Sequence, residues 1–444
     1  SVEGQPVTIS TNLHDFNNMS YEIKSKGVVD LGKLYRVFAR EGYDLNGYIE
    51  TDLSLRGAQK DAMEGNIEKL NNKGFLKLRN ISLRSEQYPK PVLIKTGDFR
   101  FEQDKIWFDN FEAGYGSSDF LLKGAITNSI AYFLSKGKTL RGNFDLRSDF
   151  VDVDEFMAFA PAGNTSPAAS HTPAGVVIIP RDLDIDFNAS IRRVAFSGLD
   201  IRNLKGEIDL KEGILVLGDA GFDLIGCRIG MSATYGDINP QKAHFDFTVK
   251  AENFDIKRAY KELAMIREMA PSAGKAEGIV SLDYSLKGLL NNDMYPVLPS
   301  LEGSGTVYLS HVKLFGLKLF NDISRKTQRE GLANPDMKKV EIKSVIGNNT
   351  VTVEQFRFRV SPFRLRIEGS STFSNVMDLR IRLGLPPLGI FGIPLKVTGP
   401  ADDLKIRFGR GKDTGEPEES EYSDDLPAEL LERIKNAKDE GGED

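Results

Sequence analysis

The chain has 444 residues, 40% of them apolar and 27% charged, with 42 Gly, 19 Pro and a single cysteine, Cys227. Such a composition excludes a wholly disordered chain, a collagen and a disulfide-stapled miniprotein, and one cysteine permits no intrachain disulfide. The net charge of −6 is unevenly spread: Asp413 to Asp444 hold 13 acidic and 3 basic residues, which leaves 51 acidic against 55 basic elsewhere. A slightly basic body thus carries an acidic tail, and it is too weakly basic to announce a nucleic-acid partner.

In chain order, the first feature is a strand running into a helix, YEIKSKGVVDLGKL (Tyr21–Leu34), with the helix predicted over Asp30–Glu41. A meander of short strands follows at Gly97–Gly124, and then a second strand-to-helix corner, NFDLRSDFVDVDEF (Asn143–Phe156), with a helix over Asp152–Phe159. Pro161–Gly175 reads as a flexible loop. Beyond it, Leu183, Ile185 and Phe187 alternate with Asp, and Gly206–Gly230 is a looser meander. The third corner, DFTVKAENFDIKRA (Asp246–Ala259), leads into a helix over Asp255–Met269, and a further helix is predicted over Leu317–Arg329. In Ser344–Gly369 the meander recurs, and Met377–Leu385 alternates strictly. Gly409–Asp425 reads as a disordered linker, and Pro427–Lys438 as a short amphipathic tail helix.

Alternation of apolar and polar residues is the period of a half-buried strand. It recurs every 8–12 residues or so between turn residues, the spacing of an antiparallel all-β protein. In the three corners, Asp30, Asp152 and Asp255 stand where an N-cap carboxylate would accept free amide protons, and Glu155 would complete a capping box. The meanders repeat as well: Phe111 precedes Gly124 by thirteen positions, and Phe356 precedes Gly369 by the same thirteen. Such repeats predict one elongated, twisted and curled antiparallel sheet rather than separate globules. By motif the chain divides into repeats at 1–160, 176–276 and 277–409, the loop 161–175, and the acidic tail 410–444.

No run approaches the ~18 apolar residues of a membrane-spanning helix. The least charged stretch, Leu383–Leu395, is broken by Pro and Gly. The chain opens SVEGQPVTIS, with neither Met nor an apolar signal core, and reads as a processed or truncated form.

Signals for catalysis are weak. Asp182, Asp184 and Asp186 spell D-x-D-x-D, but the glycine of a calcium loop is missing and Arg193 stands where the closing Glu belongs. Asp152, Asp154 and Glu155 resemble a glycosidase carboxylate set, yet helix capping accounts for Asp152 and Glu155. His14, His171, His244 and His311 have no metal-ligand spacing, and neither a phosphate-binding loop nor a nucleophile elbow occurs. Catalytic residues, metal and cofactor are therefore all predicted to be none.

The corner FDLRSDFVDVDEFM, the GSSDFLLKG of the first meander, Leu301–Ile323 and the closing FGIPLKVTGPADDLKIRFG together resemble the C-terminal region of AsmA-like proteins. Most specific is Gly392-Ile393-Pro394-Leu395 followed by Val397-Thr398-Gly399, an Asp pair and a last strand. The resemblance covers most of residues 20–410 and extends in architecture to chorein-type bridge-like lipid transfer proteins. It implies a Gram-negative envelope protein with an N-terminal inner-membrane helix, a segment expected to lie outside the 444 residues. It also implies a periplasmic body whose curled sheet holds phospholipid in an apolar groove, and a role in outer-membrane homeostasis.

Hydrophobicity alone then nominates the groove residues: Phe245, Phe247, Val249, Leu282, Tyr284, Leu286, Phe356, Phe358, Leu365, Ile367, Leu379 and Ile381. The alternative is a closed β-sandwich acting as an envelope scaffold, because its core strands alternate in the same way. A carbohydrate-active enzyme would need carboxylates converging in a cleft.

Overall fold

The computed structural model describes residues 7–14, 19–33, 43–85, 88–135, 137–157, 175–385, 391–401, 403–409 and 422–423. The loop 161–174, most of the predicted helix Asp30–Glu41, His171 and the tail helix Pro427–Lys438 lie outside them. As the alternation predicts, the fold is mainly β, an open antiparallel arrangement with few, short helices. It forms two compact units, where the motifs suggest three repeats. Unit 1 comprises Ser1–Asp223, Met231–Phe245 and Leu290–Tyr295; unit 2 comprises Leu224–Gly230, Asp246–Leu289 and Pro296–Asp444.

The strands of unit 1 are β1 (Thr8–His14), β2 (Ser20–Asp30), β3 (Tyr43–Ala58), β4 (Asn71–Ser85), β5 (Tyr88–Glu102), β6 (Lys105–Tyr115), β7 (Ser118–Thr127), β8 (Leu140–Ser148), the two-residue β9 (Val151–Asp152), β10 (Leu183–Phe196), β11 (Leu199–Lys211) and β12 (Ile214–Leu224). Each pairs antiparallel with the next from β1 to β8 and again from β10 to β12. The meander breaks once, because β10 lies parallel to both β8 and β9. Parallel neighbours need a long crossover, and the second strand-to-helix corner begins it.

Then come β13 (Cys227–Asn239) and β14 (Lys242–Asp255), whose residues divide between the units. Unit 2 continues with β15 (Ala276–Leu290), β16 (Glu302–Leu314), β17 (Asp336–Gly347), β18 (Thr350–Val360), β19 (Phe363–Thr372), β20 (Val376–Gly384), β21 (Gly392–Pro400), β22 (Lys405–Gly409) and β23 (Tyr422–Ser423). All of these pair antiparallel with their neighbours in sequence. Tight hairpins keep the order simple. Asn348 and Asn349 turn β17 into β18 with φ of 51° and 60°, the left-handed pair that matches the natural strand twist.

The helices are α1 (Gln59–Glu64), α2 (Ser129–Leu134), α3 (Asp154–Met157), α4 (Ile256–Glu262), α5 (Ala264–Met269) and α6 (Lys318–Thr327). The single helix predicted over Asp255–Met269 is two, parted at Leu263, which is extended with φ −105° and ψ 109°. There the Arg267 guanidinium donates to the carbonyls of Tyr260 and Lys261, satisfying acceptors that a continuing helix would have used. Asp255 does cap α4, its carboxylate accepting from the Arg258 amide at 2.7 Å. Both α1 and α2 were invisible to the strand pattern. Small buried faces, Ala62 and Ala131, pack around Leu70, and Asp104 accepts from the Ile130 amide at 2.9 Å.

Candidate functional site

In a paired sheet, residues directly opposite each other share a face, so the register builds the site row by row. In unit 1 one row runs Phe108, Gly124, Phe144, Phe187, Ile208, Leu217 across β6, β7, β8, β10, β11 and β12. The neighbouring row starts at Phe111 and passes through Leu122, Leu146 and Ala189. Phe108 and Phe111 are three apart and would sit on opposite faces of a regular strand. A bulge sets Asp109 and Asn110 against Lys123 alone and returns both rings to one face.

Gly124, opposite Phe108, has φ +156°, and a β-carbon there would run into the Asn143 carbonyl. Only glycine fits that approach. Phe99, opposite Phe108 on β5, joins the rings. Centroids lie 4.7 Å apart for Phe99 and Phe108, 5.0 Å for Phe108 and Phe144, and 5.8 Å for Phe144 and Phe187. Spacings of 4.5–7 Å are those of attractive aromatic pairs. Phe144 is buried, whereas Phe99, Phe108, Phe111 and Phe187 are only half-buried. Phe108 and Phe187 pack against the buried cluster of Ile126, Phe144 and Ile185, and the rings together form an apolar face that stays partly exposed.

Unit 2 uses the same device. Val353 pairs with Gly369, and Phe356 with Ile367, with Glu354 and Gln355 bulged against Glu368. Gly369 has φ +130°, and a β-carbon there would meet the Asp378 carbonyl. The thirteen-residue repeat of the sequence is therefore this bulge: in each copy the Phe follows the bulge and the glycine faces the residue before it. From there one row runs Phe356, Ile367, Ile381, Leu395, Phe408; the next runs Phe358, Leu365, Leu383, Ile393. A third passes Tyr284, Gly305, Ser344, Val353, Gly369, Leu379, Val397, Ile406.

The predicted groove residues of unit 2 from Leu282 to Ile381 thus share one face, but not one environment. Leu282, Tyr284, Phe356 and Leu379 are half-buried. Leu286, Phe358, Leu365, Ile367 and Ile381 are buried. Towards β22 the face is covered by α6 and the turn after it. Phe320 meets Phe358 at 6.4 Å between centroids, Lys326 lies over the Phe408 ring, and Arg329 lies over Phe363. Ile323, Leu383, Ile393 and Phe408 are wholly shut away there. On β14, Phe245, Phe247 and Val249 are half-buried and alternate with exposed Asp246, Thr248 and Lys250.

The acidic clusters are structural. Glu155 does not close a capping box. It accepts from the Ser117 amide at 3.0 Å and the Ser117 hydroxyl at 2.9 Å in the β6–β7 turn, and from Lys90 Nζ. Burial pulls its carboxyl up, but those bonds outweigh burial and hold it below the usual carboxylate range. Asp154 likewise accepts from the Ser197 amide in the β10–β11 turn. Asp152 accepts from the Asp154 amide, Asp182 from the Tyr132 hydroxyl, and Asp184 faces Arg141 at 3.6 Å. Among the described residues no group of three or more His, Cys, Asp or Glu could hold a metal ion. Cys227 is buried, with Sγ 3.4 Å from the Leu224 carbonyl.

No protein-family model, no curated protein and no solved structure matches the chain.

The ring row of unit 1 holds none of the twelve groove residues read from the sequence. Its bulge puts Phe108 and Phe111 out of phase with a simple alternation, which hides them from a period-two search. The thirteen-residue Phe–Gly repeat was the available signal.

Proposed function

We propose that this protein is a non-enzymatic lipid carrier that shelters acyl chains on the apolar face of its sheet while headgroups remain in water. One observation carries the reading: Phe99, Phe108, Phe111 and Phe187, joined through the buried Phe144, form an apolar surface left half-buried, where a closed sandwich core would bury them. Exposing acyl chains to water costs ~0.8 kcal/mol per CH₂, on the order of 12 kcal/mol for a sixteen-carbon chain. A greasy face removes most of that barrier and needs no reacting group. In this reading the ligand is phospholipid or another acyl lipid, and within unit 2 Phe247, Val249, Leu282, Tyr284, Phe356 and Leu379 offer half-buried apolar surface of their own.

The resemblance to AsmA-like proteins supports a periplasmic site of action, an inner-membrane anchor preceding this chain, envelope protein partners and a part in outer-membrane homeostasis. The helix-covered end of unit 2 is the observation that favours the alternative, a closed scaffold; it confines the shelter to the uncovered rows. Native mass spectrometry of protein purified from a bacterial membrane extract tests the reading. Phospholipid adducts are expected on the intact chain and should disappear in a Phe99→Asp/Phe187→Asp variant of unchanged circular dichroism. A lipid-free intact chain from lipid-replete cells would overturn it.

A further inference from the structure

The ring row of unit 1 does not end in a ring. From Phe108 it passes back through Phe99 and Leu76 to Thr51 on β3 and Gly27 on β2. There the hydroxyl of Thr51, a residue only 6% exposed, lies 2.5 Å from the hydroxyl of half-buried Ser25. Two hydroxyls carry two protons, and their mutual bond uses one. Neither side chain has another hydrogen-bond partner among the described residues, so one proton remains to be donated. A second polar pair on this face is complete by contrast. Tyr21 and Asn72 bond each other, and Asn72 also accepts from the Arg56 amide and donates to the Gln103 carbonyl.

We infer that Ser25, oriented by Thr51, donates this proton to the ester carbonyl of an acyl lipid whose chain lies along the row over Leu76, Phe99 and Phe108. The inference rests on the lipid reading and adds the polar group that fixes the ligand's position. Polarity and length both select an ester carbonyl. Ser25 stands opposite Ile9 and Leu53, and Thr51 opposite Leu76 and Gly27, so the pair is set among apolar neighbours. The nearby cations Lys24 and Lys26 alternate onto the other face, where they pair with Glu22 and Asp52. A carboxylate or phosphate beside Thr51 would therefore lose its water without gaining a counter-charge, whereas a neutral carbonyl needs only the one donor. From Thr51 to Phe108 is three strand spacings, about 14 Å. One leaflet of acyl chains fills half of a ~30 Å hydrocarbon core, about 15 Å, so a chain held at its carbonyl by Ser25 reaches the first rings.

Native mass spectrometry of the delipidated full chain, offered equal amounts of diester and diether phosphatidylcholine of the same chain length, tests it. The two lipids differ in mass, and only the diester has carbonyls. The unsubstituted chain should hold the diester about fivefold over the diether, the yield of one hydrogen bond. Ser25→Ala should still bind both lipids and bring the ratio near one. Thr51→Val keeps the shape but leaves Ser25 without its partner, and should lower the ratio part of the way; Thr51→Ser should restore it. Equal binding of the two lipids by the unsubstituted chain, or an undiminished preference in Ser25→Ala, would overturn the role of Ser25 and leave the carrier standing. Uptake of neither lipid would overturn both.

Discussion

The bulge at Asp109–Asn110 and the bulge at Glu354–Gln355 are the same local device, each preceded by a residue that faces a glycine of positive φ, yet the surfaces they build differ. Around the first, four phenylalanine rings stay half-buried; beside the second, α6 covers the rows from Phe358 to Phe408. Strand chemistry alone thus decides which face is apolar. Whether that face is open is decided by a helix arriving from elsewhere in the chain.

Substitutions can break this comparison. The largest effect is expected for Leu383→Asp, which leaves an unpaired charge beneath α6. More than ~4 kcal/mol of stability should go, and urea unfolding followed by circular dichroism should show unit 2 unfolded in water. Phe187→Asp, on the open row, should instead leave a folded protein. Gly124→Ala and Gly369→Ala test the shared device. Each forces a β-carbon onto a neighbouring carbonyl and should cost about 2–3 kcal/mol, seen as a lowered Tm by calorimetry. Similar losses at both sites would confirm that openness does not depend on the bulge.

Glu155→Gln should cost about 2 kcal/mol at neutral pH, because charge-assisted bonds to the turn amide and to Lys90 are weakened. The Glu155 carboxyl is held below its usual value. The stabilisation is therefore complete above the unfolded value of ~4.3 and fades as pH falls through the depressed one. Denaturation of both proteins across that window should show the gap closing in acid. Smallest is Phe187→Ser, at about 1 kcal/mol, since a half-buried ring gives up only part of its apolar contact with water. A loss near the 3–5 kcal/mol of a core Phe truncation would show that the row is closed.

Much of this was legible in the sequence. Alternation in Phe363–Glu368 and Met377–Leu383 fixed both the strands and the apolar face, because a period of two has one geometric meaning. The Asp255 cap was legible for the same reason: it acts within its own turn. What stayed hidden is tertiary. The partners of Glu155 lie in a turn thirty-eight residues away, at Ser117. The sequence predicts the helix over Leu317–Arg329, but nothing in its composition says that it packs on Phe358 and Phe408. The rings of unit 1 were missed because a bulge shifts the phase between Phe108 and Phe111.

The most direct test places a photoreactive phenylalanine analogue at Phe187 or at Phe358 and irradiates the protein in cells. Covalent phospholipid adducts are expected at Phe187 and none at Phe358. A folded protein that yields no lipid at Phe187, or as much at Phe358, would contradict it.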